Sequence, residues 1–509
     1  MKGWNMKVFL AGFNVDTAVL KDMQVKGPKR EDLTPEVISA AYARISRDDR
    51  PINEIRKSAR EEVEKSRKSN ATIIFKMGHH SVAEHAVFNL DILGVSRYVM
   101  EEIEKFRLCS YTEKSQRYIT LDNDFVIPKE IKGTSFEKAF TDMINEQNQA
   151  YFKLYERLKE HVFSKNSELA ANPKNHNLLE GWAKEDARYI TALATESQVG
   201  QTINARNFEL LLRRFASHSL VEVRELGQAL YKLISEVAPS IVIFNEANDF
   251  DRNTFQDLKQ VADNILSQKS VEIPGDLQEV KLVEYTKNAD AILAASLLHV
   301  ASSLSYEACR AVVDQSSPDE LKKIFMSTWK NMQFYDSVPR EFEYIDLTYN
   351  IVLSSACFGQ LKRHRMSTIT AQGYDPMLGN TIPVAVKEIG MEPFFMEIVE
   401  KTNKVYAAIK KEIPMAAPYI LTNSHRKRVL ININARELYH LSRLREDAHA
   451  QWDIQNVSRV MTDEAKKVMP GALGLIGGKD RYSEIYKNLF AQMPKVSQAA
   501  LPGERKIKS

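Results

Sequence analysis

The sequence predicts an α+β chain made of two consecutive domains, and three observations carry that prediction. At 509 residues the chain is too long for one ordinary hydrophobic core. A strand-like start at Val8 to Ala11, followed by long helical stretches, is answered by a second strand-like start at Lys281 to Tyr285, again followed by helices. Between the two, residues 245 to 275 are polar and punctuated by Asn248-Asp249, Asp251-Arg252-Asn253 and Pro274-Gly275. The expected division is a first domain over 1–250, a linker over 251–278 and a second domain over 279–509.

Composition narrows the class. Charged residues make up 27% of the chain and the net charge is only +3, which gives no basis for bulk nucleic-acid binding. Cys109, Cys309 and Cys357 are far apart and form no metal-binding spacing, so a reduced, cytoplasmic setting is expected. The apolar piece after Met6 is soon broken by Asn14 and Asp16, and no apolar run of about 18 residues follows. Neither a signal peptide nor a membrane span is expected.

In the first half, Thr34 and Pro35 read as the N-cap and first position of a helix running to Ser46. Residues 53 to 69 are charged and helical in pattern. His79, His80 and His85 follow, but with no His-Glu-x-x-His pattern and no cysteine partner, so no metal is expected there. Ser81 with Glu84 three residues on reads as a capping box before a strand. Ile92, Val95, Val99, Ile103 and Phe106 then mark one face of a helix-like run leading into Lys105 to Tyr118. An extended piece reaches Pro128, a long helix spans about 135 to 165, and a polar loop covers Asn166 to Asn177.

In the second half, residues 289 to 312 read as an Ala-rich helical segment. Ile345, Tyr349, Val352 and Phe358 lie near helical spacing, so Ile345 to Leu361 reads as a half-buried helix. At its C-terminal end stand Gln360, Arg363, His364 and Arg365. Such a cluster complements a helix macrodipole; it equally suits a phosphate-rich ligand, because the guanidinium fork takes phosphate oxygens in pairs. A second helical crossover leads to Pro418. In the block Asn434 to Ile454, Leu438, Leu441 and Leu444 form an expected core stripe, and Arg445 and His449 are one turn apart.

Two stretches then decide between readings. Arg363-His364-Arg365 is followed by Gly373 and Asp375, whereas Lys105-Phe106-Arg107 is followed by Glu113, Ser115, Arg117 and Tyr118. Together they resemble the signature of the flavin-dependent thymidylate synthases (ThyX), which runs Arg-His-Arg, seven residues, Ser, any residue, Arg. Each copy keeps what the other has lost. The resemblance extends to Ala43-Arg44-Ile45-Ser46, to His79, Ser81 and Glu84, to Arg188 (with Pro418 in its place in the second half), to Asn204-Ala205-Arg206, and most fully to the block from Asn434 to Ile454. The segment around Arg213 and Arg214 is a worn version of the same block, one residue short.

The resemblance implies two tandem ThyX-like domains, each a small, mostly antiparallel sheet with long packed helices. It implies reductive methylation of dUMP with methylenetetrahydrofolate as carbon donor, FAD as hydride carrier and NADPH as reductant. It implies a dUMP set of Gln360, Arg363, Glu113, Lys114, Ser115, Gln116, Arg117, Arg188 and Arg445, with Arg445 catalytic. For FAD it implies His79, Ser81, Glu113, Arg363, His364, Arg365, Asn434, Arg436, His440, Asn204 and Arg206. Family sites are shared between subunits of a homotetramer, so a duplicated chain is expected to form a homodimer in which the two halves divide the work. On an ungapped comparison Arg445 falls on Phe215, and with a one-residue gap it falls on Arg214. Two alternatives stay open: another pyrimidine nucleotide as substrate, suggested by Lys105 and Phe106 and by the missing His near Ser337, or a non-catalytic flavin- or nucleotide-binding regulator.

Overall fold

A computed structural model describes residues 6–26, 33–116, 124–269 and 278–496. The described residues form two four-stranded antiparallel sheets surrounded by helices, as the sequence predicts for an α+β chain with a repeated domain. The strands are β1 (Lys7–Phe13), β2 (Val87–Ser96), β3 (Ser110–Glu113), β4 (Glu196–Asn204), β5 (Val280–Tyr285), β6 (Asp346–Ser354), β7 (Thr368–Ala371) and β8 (Arg426–Asn434). The first sheet has the order β1-β2-β4-β3 and the second the order β5-β6-β8-β7, so one topology occurs twice.

The duplication holds residue by residue where strands turn into helices. Ser96 ends β2 and caps the helix Arg97–Ile103, its Oγ accepting from Val99 N at 3.1 Å. Ser354 ends β6 and caps Ser355–Leu361 through Cys357 N at 3.0 Å. Both caps are pinned by an acid in the first turn of a later helix. Glu222 takes Ser96 Oγ at 3.0 Å, and Asp453 takes Ser354 Oγ at 2.6 Å. Asn204 and Asn434 likewise cap the helices Ala205–Ala216 and Ala435–Arg445, accepting from Asn207 N and Glu437 N at 3.0 and 2.9 Å. These shared caps make Phe215 the counterpart of Arg445. The residue by which the first copy is shorter falls in the loop after the helix.

Several sequence expectations are corrected. Ile345 to Leu361 is not one helix: Asp346–Ser354 is strand β6, with Leu347, Tyr349 and Ile351 all buried, and only Ser355–Leu361 is helical. The buried residues recur every second position, which a strand requires and a helix does not. The run from Ile92 divides in the same way between β2 and the helix Arg97–Ile103. Ser81 caps nothing; it lies inside the 3-10 turn His80–His85, which has no side-chain cap. The helix expected from Thr34 begins at Glu36 with Pro35 at its N-cap position, and Thr34 stands just before it, its Oγ1 accepting from Glu36 N at 3.2 Å. Leu444 is exposed, while Leu438 and Leu441 are fully buried. Where a linker was expected stands the helix Asp249–Ser267, begun by an Asn248/Asp251 capping box.

The chain forms two compact units that do not coincide with its two halves. The first comprises 1–273 with 382–423, and the second 274–381 with 424–509. The helix Glu392–Glu412 and the turn Ala417–Ile420 therefore belong to the first unit. There Leu193 N donates to Leu421 O at 2.7 Å and Ala194 N to Tyr419 O at 2.8 Å. Among the described residues no helix is long and apolar enough to cross a membrane.

Candidate active site

In the second unit, the helix Ser355–Leu361 ends just before the Arg363-His364-Arg365 turn, and Ala435–Arg445 runs from its Asn434 cap to Arg445. His364 is buried at 2% exposure, whereas Arg363 is exposed and Arg365 half-buried. Arg445 Nε donates to His364 Nε2 at 3.0 Å. The guanidinium also reaches Gln360, at its Oε1 (3.5 Å) and its backbone oxygen (3.3 Å). Gln360 Nε2 in turn lies 3.4 Å from Gln451 Oε1. On the other side of the ring, His364 Nδ1 stands 3.3 Å from Glu437 Oε1, and the His440 ring is 5.8 Å away. Burial, aided by the Arg445 charge, drives the His364 imidazole down to about 3, so it is neutral at physiological pH. Burial pushes the Glu437 carboxyl up.

Four residues named from the sequence thus come together here: Gln360, His364, His440 and Arg445. Two others have structural duties. Asn434 spends its side-chain oxygen on the helix cap. Arg436 binds Val338 O (3.0 Å) and Glu343 (3.1 Å). The same pattern recurs in the first unit, where Asn204 caps its helix and Arg206 pairs with Glu84 at 2.5 Å. His449 does not share a helix face with Arg445: the helix has ended, and His449 projects outward against Asp447 at 2.7 Å. Glu437 and Gln451 were missed in the sequence. The spacing of Glu437 and His440, three apart on one helix, was a legible signal for the first.

The first unit holds the second set. Glu113 ends β3, paired opposite Val199 of β4, with its carboxylate 3.8 Å from Arg97 and 3.4 Å from Ser197 Oγ. Lys114 continues the pairing through its N–H to Gln198 O at 2.9 Å. Ser115 is half-buried, and Gln116 is buried. Arg188, also buried, opens the turn Arg188–Ile190. Asn423 ties this group together, donating to Gln116 Oε1 (3.3 Å), Arg188 O (3.1 Å) and Thr191 Oγ1 (3.0 Å). The Nε2 of Gln116 is buried with no hydrogen-bond partner among the described residues. Arg117 lies outside the described residues. His79, just before the 3-10 turn His80–His85, and Ser81, within it, are exposed.

The matching positions in the second unit hold other residues. Gly373 stands at the place of Ser115. Asp375 stands at that of Arg117 and caps the turn Pro376–Leu378 through Met377 N at 3.0 Å. Lys427, at the place of Ser197, is buried between the rings of Phe358 (4.2 Å) and Tyr374 (4.0 Å).

Comparison with known proteins places this architecture. The family model described as thymidylate synthase complementing protein matches residues 31–240 and again 281–471, and the chain belongs to that family as a tandem form. A UPF0159 protein of Thermoplasma acidophilum is 24% identical over 440 residues, covering 79% of this chain and 87% of its own. A UPF0159 protein of Chlamydia muridarum is 24% identical over 419 residues, covering 78% and 77%. A flavin-dependent thymidylate synthase of Clostridium tetani is 29% identical over 212 residues, covering 41% of this chain and 80% of its own. The solved structure of a UMP/dUMP methylase from Streptomyces cacaoi covers 47% of this chain and 93% of its own at 15% identity. Its TM-score of 0.33 is too low to carry weight.

Proposed function

We propose that this protein is a flavin-dependent thymidylate synthase that methylates carbon 5 of dUMP, with methylenetetrahydrofolate as carbon donor, FAD as bound cofactor and NADPH as reductant. The observation that carries this reading is the setting of Arg445: a guanidinium held at its Nε by a buried, neutral imidazole and at its far side by Gln360. Carbon 5 of uracil is a weak nucleophile, and its attack requires negative charge to be stabilised on the ring. A cation fixed in advance in a partly desolvated corner does this without reorganising.

The residues present fit a flavin. Exposed Arg363 and half-buried Arg365 are the guanidinium groups proposed to take a pyrophosphate, and the exposed His440 ring stands 5.8 Å from that of His364. Arg436 and Asn434 would contribute only through groups other than those already used within the unit. When bound, the flavin supplies the hydride. In the first unit, Arg188 and the Glu113 to Gln116 loop are the proposed phosphate-binding group. The buried Nε2 of Gln116, without a hydrogen-bond partner among the described residues, supports a ligand rich in acceptors there.

The test is direct. Purified protein should be yellow, release FAD on denaturation, bleach with NADPH, and convert dUMP to dTMP only when methylenetetrahydrofolate is added. Turnover of UMP or dCMP in preference to dUMP would reassign the substrate. Protein that is colourless and takes up no added FAD would overturn the reading. The duplicated chain is further proposed to work as a homodimer, and a light-scattering mass of four chains would exclude that.

A further inference from the structure

The contacts of Arg445 fix where protons sit. Its Nε is always a donor, so His364 Nε2, 3.0 Å away, is an acceptor and the ring proton is on Nδ1. Nδ1–H then donates toward Glu437 Oε1 at 3.3 Å. Carboxylate, imidazole and guanidinium stand in line, with donor and acceptor set at each link. The ligand atoms of His364, Glu437 and His440 lie within 4.8 Å of one another, which is the footprint of a metal site. A proton already occupies that place: with Nε2 engaged by Arg445 and Nδ1 protonated, His364 has no lone pair for a cation.

We propose that Glu437 and His364 are positioning residues for Arg445: the ordered N–H links set the rotation of its guanidinium and so aim it at the nucleotide ring. This rests on the reading of Arg445 given above. The order of the three groups matters. A carboxylate paired directly with Arg445 would orient it but cancel much of its charge at short range. A neutral imidazole placed between them orients the cation and keeps the carboxylate one ring further away.

The first copy supports the three as one unit, because all three are missing together. Asn207 stands at the place of Glu437, Phe106 at that of His364 and Phe215 at that of Arg445. Phe106 and Phe215 meet as a plain edge-to-face aromatic pair, ring centroids 6.0 Å apart. The fold therefore accepts an apolar pair at this junction, and the polar line serves something other than folding.

Protein carrying 15N-labelled histidine rings provides a test that needs no turnover. The His364 signals, assigned by their loss in His364→Phe, should show a neutral ring protonated on Nδ1. Arg445→Ala and Glu437→Ala should each relax it toward a mixture of tautomers. In kinetics normalised to flavin content, Glu437→Ala should lower kcat on dUMP by about 10²-fold with KM changed far less, as misaiming a fixed catalytic group does. Glu437→Gln, which keeps an acceptor oxygen, should restore most of the rate. A wild-type ring protonated on Nε2, or an unchanged kcat in Glu437→Ala, overturns the proposal. Should His364→Phe fail to fold, the two Glu437 variants decide alone. If wild-type protein shows the expected tautomer and its dependence on Arg445 but does not turn over dUMP, the functional reading fails while the line of three groups stands on the spectra.

Discussion

The two copies of the fold meet the same structural problem at one junction and solve it differently. In the first, the turn after the helix Arg97–Ile103 sends Phe106 against Phe215, and the pair is simply packed. In the second, the same positions hold His364 and Arg445, 3.0 Å apart, with Glu437 behind and Gln360 in front. An aromatic pair costs nothing to bury. A buried imidazole beside a guanidinium costs desolvation and is retained only where something repays it. The inverse holds elsewhere. The Glu113 to Gln116 loop and Arg188 survive in the first copy, where the second has Gly373, Asp375 and Pro418. The two copies thus differ at complementary positions, the pattern that the proposed division of work after duplication would leave.

Substitutions at this junction sharpen the contrast. The largest effect should come from the packed side. Phe215→Ala removes a buried ring and should lower unfolding free energy by about 3–5 kcal/mol, read by denaturant melts, with little change in kcat per folded molecule. Arg445→Ala should do the reverse: little loss of stability, and a drop in kcat at saturating dUMP on the order of 10²–10³-fold. Arg214→Ala, side by side with it, should leave turnover nearly intact. The opposite outcome for that pair would show that the work has been assigned to the wrong copy. Arg188→Ala should act chiefly on dUMP affinity, by about 1.5–3 kcal/mol for a charge-assisted hydrogen bond, measured by calorimetry without turnover.

The smallest effect is a pair of opposed pH slopes. His364 is held down to about 3, so below its ordinary value of about 6.5 the unfolded chain binds a proton that the native one refuses. Its contribution is intact above pH 6.5 and is lost as pH falls from there toward 3. Glu222 is buried in the first unit against Ser96 and Tyr419, and burial pushes its carboxyl up to about 7. Its contribution is intact below its unfolded value near 4.5 and is lost as pH rises toward 7. Each slope is at most about 1.4 kcal/mol per pH unit. His364→Phe should remove the first and Glu222→Gln the second, so melting curves between pH 4.5 and 6.5 should tilt in opposite directions in the two variants.

How much of this was legible follows from the range of the interactions. The duplication was readable because it preserves local patterns: the strand starts at Val8 and Lys281, and the two half-signatures. The strands inside the runs from Ile92 and Ile345 were misread because Ile345, Tyr349 and Val352 satisfy a helical spacing by accident; Leu347 and Ile351, buried between them, decide for a strand. The polar stretch after residue 250 hid a helix whose Phe255, Leu258, Val261 and Ile265 recur every three or four residues and lie exposed. For the site, Arg445 and His364 were both named, but not their pairing, which joins residues 81 apart in sequence. The ambiguity between Phe215 and Arg214 ended only with the shared Asn204 and Asn434 caps, because a gap in a loop and a gap in a helix look alike in a string of letters.

The membership of residues 382–423 in the first unit has a consequence for the order of events on the ribosome. Leu193 and Ala194 find their backbone acceptors at Leu421 and Tyr419, and Glu222 its hydroxyl at Tyr419. The first unit thus waits for a segment made some two hundred residues later, while the strands β5, β6 and β7 of the other unit emerge in between. Domains that fold as they are synthesised normally close in sequence, first to last. Here the earlier-made unit is the one left open, with two buried amides short of their acceptors and Glu222, already held by Ser96, short of its Tyr419 hydroxyl until residue 421 is out, and a truncated chain ending at 273 should be caught by chaperones as an unfinished protein.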